Sequence, residues 1–369
     1  MAKVWPFLAQ KSSAETYSWR TDVRRAFQGE IRESLRTARR LLRYEHLLTD
    51  EQNNLAQALV RSNLNGLWEV PLWSEVSKGT GTIGNNTVEC NTNADYVSGG
   101  KVFIMSRTKE YETVEISSVG DGSLTLSDNL TVEPYMVAPV IEAQMTDAFD
   151  GLRVQHNVWE RSSSFTSTVD TDPSENPYTE FQDIPVLEDP PSTVFPLENR
   201  ISQVRQFIDN GMGPIQIETV RDDLDEIYEF SFVDIKLEDR WKRKKFYHYL
   251  RGRDKPFWLP TWTEDLELLS EIQDNDTFIL VNSPYYSAEE LVGKSIKIDS
   301  GETFYREIIS AQEEEENEDI TLEIEPLGSY VESATISFID KVRLDTDEID
   351  FLFVGQTLQS SALLIGVRD

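Results

Sequence analysis

The chain has 369 residues, 39% of them apolar and 10% aromatic, enough to fill packed cores and more than one hydrophobic core usually organises. Asp and Glu outnumber Lys and Arg by 66 to 35, and the resulting net charge of −31 disfavours sequence-specific DNA or RNA binding but is compatible with an acidic lumen through which DNA slides. The single cysteine, Cys90, excludes an intrachain disulfide and any Cys-rich metal site, and no apolar run approaches the length that spans a bilayer.

In chain order, Trp5-Pro6-Phe7 and the polar run behind it read as an extended arm of the kind that packs on a neighbouring subunit. Met1–Gln10 lacks a basic leader followed by a long apolar segment, so synthesis in the cytoplasm is expected. Arg20, Arg24, Arg25, Arg32, Arg36, Arg39, Arg40 and Arg43 then form a basic island in an acidic protein. Two readings stand. The arginines form a solvated face pairing locally with Glu30 and Glu33, or they form an interface set that meets a partner's acidic surface through bidentate contacts. Residues 1–39 are accordingly set apart as an N-terminal arm and arginine-rich segment, with Trp5 and these arginines as interface candidates.

Leu41–Leu48 suits a strand. Thr49-Asp50-Glu51-Gln52 supplies a capping box, Leu55 and Leu59 follow at helical spacing, and Asn65-Gly66 closes the helix. Next comes Leu67-Trp68-Glu69-Val70-Pro71-Leu72-Trp73. Short β-branched runs punctuated by Gly and Asn between residues 79 and 145 predict a small antiparallel barrel or sandwich. The second half repeats this order, with a strand from Ile227, a helix over Glu238–Leu250, the run Phe257-Trp258-Leu259-Pro260-Thr261-Trp262, and further short strands to Asp340. Val97–Ile104 echoes Leu291–Ile298, and Tyr111–Ser117 echoes Phe304–Ser310. The expected class is α+β, mainly β. Tandem strand–helix–barrel units occupy 40–150 and 226–345, joined by an extended Pro-rich connector at 151–225, and 346–369 adds C-terminal strands. The acidic run Glu313–Glu316 with Glu318 and Asp319 reads as a solvated loop tip.

Catalytic constellations do not assemble. His46, His156 and His248 have no partner histidine at metal spacing, and no phosphate loop, nucleophile elbow or His-Glu-x-x-His run occurs. A protein without enzymatic activity, metal or cofactor is expected. Trp68, Pro71, Trp73, Trp258, Pro260 and Trp262 recur between a helix and a barrel, where indoles serve as core wedges. The alternative is that these tryptophans are platforms for sugars, which would make the chain a carbohydrate-binding, receptor-binding β-protein of a tail or cell surface.

Trp19-Arg20-Thr21-Asp22-Val23, Gly29-Glu30-x-Arg32-x-x-Leu35-Arg36 and the two Trp–Pro–Trp runs together resemble the structural tail-tip proteins of long-tailed bacteriophages, in the distal-tail and baseplate-hub group. Where such proteins usually show Pro-Arg at the end of the arginine segment, this chain has Ala38-Arg39. The resemblance implies a virion protein assembled in the host cytoplasm, forming a homo-oligomeric ring, a trimer in preference to a hexamer. The ring would join a tube or distal-tail ring above to central hub or fibre proteins below, with DNA passing through its lumen. Some hubs of this kind carry a cysteine-bound iron–sulfur cluster, which Cys90 alone cannot hold.

Overall fold

The computed structural model describes residues 2–9, 12–26, 29–63, 65–147, 149–169, 175–192, 198–203, 205–209, 211, 213–219, 225–313, 319–355 and 357–367. The fold is mainly β, built of large antiparallel sheets. The first half runs β1 (Lys3–Val4), β2 (Ser13–Ala26), β3 (Gly29–Leu48), α1 (Asp50–Ser62), β4 (Trp68–Pro71), β5 (Lys101–Met105), β6 (Tyr111–Gly120), β7 (Met136–Met145), β8 (Gly151–Gln155) and β9 (Val158–Ser167). The second runs β10 (Glu198–Ser202), β11 (Asp225–Asp234), α2 (Leu237–Leu250), β12 (Phe257–Pro260), β13 (Ser295–Asp299), β14 (Thr303–Glu307), β15 (Thr335–Leu344), β16 (Glu348–Val354) and β17 (Thr357–Gly366), with shorter strands between them.

The same ladder is built twice. Before each helix stands a long strand, β3 or β11, and after it a short one, β4 or β12. In the first unit β4 pairs with β7, placing Trp68 opposite Ala143 and Pro71 opposite Val140. In the second β12 pairs with β15, placing Phe257 opposite Val342 and Pro260 opposite Ile339. The barrel strands hang on these closing strands in the same way, β5 on β7 and β13 on β15. A hairpin then returns, β8–β9 or β16–β17, and its second strand seals against β3 or β11. Each unit keeps one core under its helix, around Trp5, Trp68 and Phe165 or around Phe246, Phe257 and Phe351. A second core fills each barrel, around Ile104 and Leu124 or around Ile298 and Leu322.

The pairings redraw the expected boundaries. Residues 151–167 are the returning hairpin of the first unit, not connector, and β16–β17 are its counterpart in the second unit rather than an appendix. The leading segments also correspond. Val4 lies parallel to Glu69 with the Trp5 N–H donating to the Glu69 carbonyl, and Val186 lies parallel to Trp258 with the Leu187 N–H donating to the Trp258 carbonyl. Residues 1–39 are therefore not a free arm. The N-terminal segment roofs the first unit as the Val186–Leu187 stretch roofs the second. Of the acidic run, residues 314–318 lie outside the described residues, as do 170–174 of the Pro-rich stretch.

Residue equivalences shift as well. The prolines and second tryptophans of the two runs correspond, but Trp68 matches Phe257 and Trp258 matches Glu69, because the spacing from the first Trp to Pro differs by one. A slip of one residue turns a strand side chain to the opposite face. Trp68 points into the core under α1, whereas Trp258 points away from α2 and packs with Val186, Tyr305 and Ile339. The second echo slips likewise. Ile104 lies opposite Glu112 while Ile298 lies opposite Phe304, so Phe304 matches Glu112 and not Tyr111.

Local chemistry explains the elements. The Thr49 hydroxyl accepts the Gln52 N–H at 3.3 Å and the Gln52 side chain accepts the Thr49 N–H at 3.1 Å, the reciprocal cap that starts α1. The chain leaves α2 through Arg251 at φ 55° and Gly252 at φ 69°. A Cβ on Gly252 would stand 2.5 Å from Asp347 Oδ1 and 3.2 Å from Trp19 Cβ, so both backbone sign and space demand glycine.

Candidate functional site

The ribbon β2–β3 joins the two halves. Along Ser13–Ser18, β2 pairs with β16 of the second unit, while Leu41–Leu48 of β3 pairs with β9 of the first. Tyr17, Trp19 and Ala38 of the ribbon enter the core of the second unit. Beyond Trp19 the two strands of the ribbon pair with each other, through a register shift at Arg20.

The predicted arginines divide by strand alternation. Arg20, Arg24 and Arg39 are exposed, and Arg24 pairs with Asp22 at 2.7 Å. Arg32 and Arg36 are half-buried, Arg32 lying 3.7 Å from Glu30 and Arg36 donating to the Ser18 carbonyl and hydroxyl at 3.3 and 3.0 Å. The backbone of Arg25 pairs with Glu30, and its side chain lies outside the described atoms. Two interface candidates are corrected. Trp5 is fully buried in its own unit, edge-on to Phe7, Trp68, Phe149 and Phe165. Arg40, 4% exposed, is committed inside the chain.

Arg40 belongs to a buried charge cluster that pattern-reading missed. Its guanidinium reaches Glu15 at 2.8 Å, Asp95 at 2.7 Å and Glu75 at 3.5 Å. Lys244 on α2 reaches Glu15 at 2.9 Å and Glu75 at 2.5 Å, and the Ser74 hydroxyl donates to Glu15. Glu15 and Arg40 come from the ribbon, Glu75 from the turn after the first Trp–Pro–Trp run, Asp95 from the first barrel and Lys244 from the second unit. The cluster thus ties both halves together. Burial raises Glu15, but Arg40, Lys244 and the Ser74 hydrogen bond outweigh it and hold that carboxyl well below the usual range. Burial also raises Glu75, and there Lys244 and Arg40 compensate only in part, so its pKa stays high. Arg40 and Lys244 thus hold Glu15 charged, while Glu75 is a carboxyl of the cluster whose pKa burial raises. The available signal was a charge at an inward position of an alternating strand, as in Glu15-x-Tyr17 and Arg40-x-Leu42-x-Tyr44.

Trp68, Pro71, Trp73, Trp258 and Pro260 are buried, and the Trp258 N–H donates to the Phe181 carbonyl at 3.0 Å. Trp262 is half-buried at φ 53°, edge-on to Phe230, with its N–H 3.4 Å from the Glu188 carbonyl. Trp262→Ala is therefore expected to cost about 2 kcal/mol in urea unfolding, below the 3–5 of an enclosed Trp. A variant that unfolds with the parent would show that this indole packs nothing.

His46 and His248 are buried. The contacts of His46 fit an Nδ1–H tautomer, with Nδ1 donating to the Leu8 carbonyl at 2.8 Å and Nε2 accepting from Ser163 Oγ at 2.9 Å. Burial lowers its pKa to about 4. His248 sits edge-on to Tyr17, with ring centres 4.6 Å apart, and burial lowers its pKa to about 3. Burial pushes the Cys90 thiol up to about 11, away from thiolate chemistry. Among the described residues no group of three or more His, Cys, Asp or Glu side chains could hold a metal ion, and no helix is long and apolar enough to cross a membrane. No protein-family model matches the chain, and no curated protein matches it in sequence.

Proposed function

We propose that the chain is a structural virion protein of a siphophage tail tip, a homotrimeric hub ring that joins the sixfold tail tube to the tip and surrounds the DNA channel. The observation that carries this reading is the duplicated ladder, which gives one chain two similar units in tandem. Three such chains present six quasi-equivalent units, matching sixfold symmetry above and threefold below. The exposed Arg20, Arg24 and Arg39 of the ribbon serve contacts with the tube or distal-tail ring above, or with hub or fibre proteins below. The net charge of −31 keeps DNA from adhering to the lumen. The protein resides in the tail tip after assembly in the host cytoplasm, without enzymatic chemistry or cofactor. Sugar binding through the Trp–Pro–Trp runs draws no support from the indoles of Trp68, Trp73 and Trp258, which lie inside the fold.

Mass measurement of the purified ring, and of the ring released from virions, tests this reading. Three copies are expected. A stable monomer in both settings, or a hexamer, would overturn it.

A further inference from the structure

The contact between the two units inside one chain is a template with one end left open at each side. Within the chain, β2 adds antiparallel to the edge of β16, with Thr16 opposite Asp350 and the Thr16 hydroxyl donating to Asp350 Oδ1 at 2.5 Å. In the repeat, β10 stands where β2 stands. Glu15 lies opposite Leu42, itself opposite Phe165, which pairs with Met145 of β7. Asn199 lies opposite Tyr228, itself opposite Leu364, which pairs with Leu344 of β15. Asn199 thus matches Glu15, and Arg200 matches Thr16. By the same ladders β8 stands where β16 stands. Arg153 opposite Trp159 matches Phe353 opposite Leu358, and Asp150-Gly-Leu-Arg-Val154 reads against Asp350-Phe-Leu-Phe-Val354.

Both counterpart edges are open among the described residues. β8 pairs with β9 alone, all five of its residues are exposed, and Leu152 is 68% exposed. β10 pairs with β11 alone, and Ile201 is 60% exposed. The helices show the same asymmetry. Lys244 and His248 of α2 are buried beneath the ribbon of the first unit, while α1 leaves Leu55 51% exposed. Open strand edges with exposed apolar side chains are templates for strand addition.

We propose that β10 of one copy adds antiparallel to β8 of a second copy, repeating between chains the junction made within each. The template fixes the register: Asn199 opposite Gly151, Arg200 opposite Asp150 and Ile201 opposite Phe149. Arg200 and Asp150 are opposite charges, and directly opposed unlike charges favour a strand pair. The contact is head-to-tail, so each copy donates β10 to one neighbour and receives β10 from another, which builds rings when the rotation closes. This inference rests on the reading of the chain as a self-assembling ring protein and specifies its subunit contact.

Paired cysteines test it, because directly opposed strand residues lie within disulfide reach. Both sites are exposed, so Arg200→Cys and Asp150→Cys leave the fold intact. Under mild oxidation the double variant should give a ladder of covalent oligomers on a non-reducing gel. Mixing the two single variants should give a covalent dimer that neither forms alone. The R200C/L152C pair, two residues out of register, should cross-link at least about tenfold more slowly. Faster linkage of that shifted pair would overturn the register. An oligomer that forms without linkage at Arg200 and Asp150 would overturn this surface but leave the ring standing. A chain that stays monomeric would overturn both.

Discussion

Replacing Lys244 by Met should destabilise the folded chain by about 3–5 kcal/mol at neutral pH, because removing one partner of a buried ion cluster strands the charges left behind. Lys244 is 2% exposed and its ammonium contacts both Glu15 and Glu75. Methionine fills similar space, so lost packing contributes little and the loss reports on charge. In the variant, Arg40 is the cation left in contact with Glu15 and Glu75. Adding Glu75→Gln should therefore recover part of the loss, a non-additive pair. The difference between parent and variant should narrow as pH falls, since protonating the carboxyls removes the stranded charge, and burial has already raised the pKa of Glu75. Urea unfolding followed by circular dichroism at pH 7 and pH 5 measures both effects. A K244M chain within about 1 kcal/mol of the parent would mean that water reaches the cluster and screens it.

The consequence for assembly follows from where the cluster lies. It closes the junction between the units, so its loss loosens their mutual placement while each barrel keeps its own core. Asn199 stands in the second repeat where Glu15 stands in the first, so a junction between copies lacks that buried carboxylate. A junction whose charges, Arg200 and Asp150, are both exposed in the single chain suits a contact that forms after folding, since no desolvated charge waits for its partner.

The sequence made the helices, the barrels and the duplication visible where spacing carries physical information. The capping box at Thr49 and Gln52, the Pro of each Trp–Pro–Trp run and the apolar strand runs each impose a local geometry that no other residue pattern supplies as well. The extent of the repeat was hidden. β2 carries Glu15 at an inward position, which breaks the apolar alternation, and its register shifts near Arg20. A strand with a buried carboxylate and a bulge reads as polar loop. β10, the counterpart of β2, is hidden by the prolines and polar residues that precede it. The arginine island held two populations that only alternation separates. Arg39 is exposed and Arg40 buried, and their order along β3 becomes legible once the facing strand is known. The partners of Arg40 come from positions 15, 75 and 95, separations that no local pattern encodes.

Mild acid should unfold the chain more readily than its carboxylates alone would require. His46 and His248 titrate near 6.5 when unfolded, while burial lowers them to about 4 and about 3 in the fold. Between those limits the unfolded chain binds protons that the folded chain refuses, so stability is complete above about pH 6.5 and drains as pH falls. At pH 5 the expected loss is about 2 kcal/mol for each histidine. Glu15 works in the same direction at lower pH, since its depressed pKa supplies stability that is lost as it protonates. Glu75 opposes both, because a raised carboxyl favours the fold as protons are added. Asp234, Asp254 and Asp340, also raised by burial, act with Glu75, so the histidine share is read by removing a histidine. His248→Phe removes one titrating group from a site already walled by Tyr17 and Trp19, so its urea midpoint should fall less between pH 7 and pH 5 than that of the parent. An equal fall in both proteins would mean that His248 protonates inside the fold, and that Asp95 and Glu15, the nearby groups that raise it, outweigh its burial.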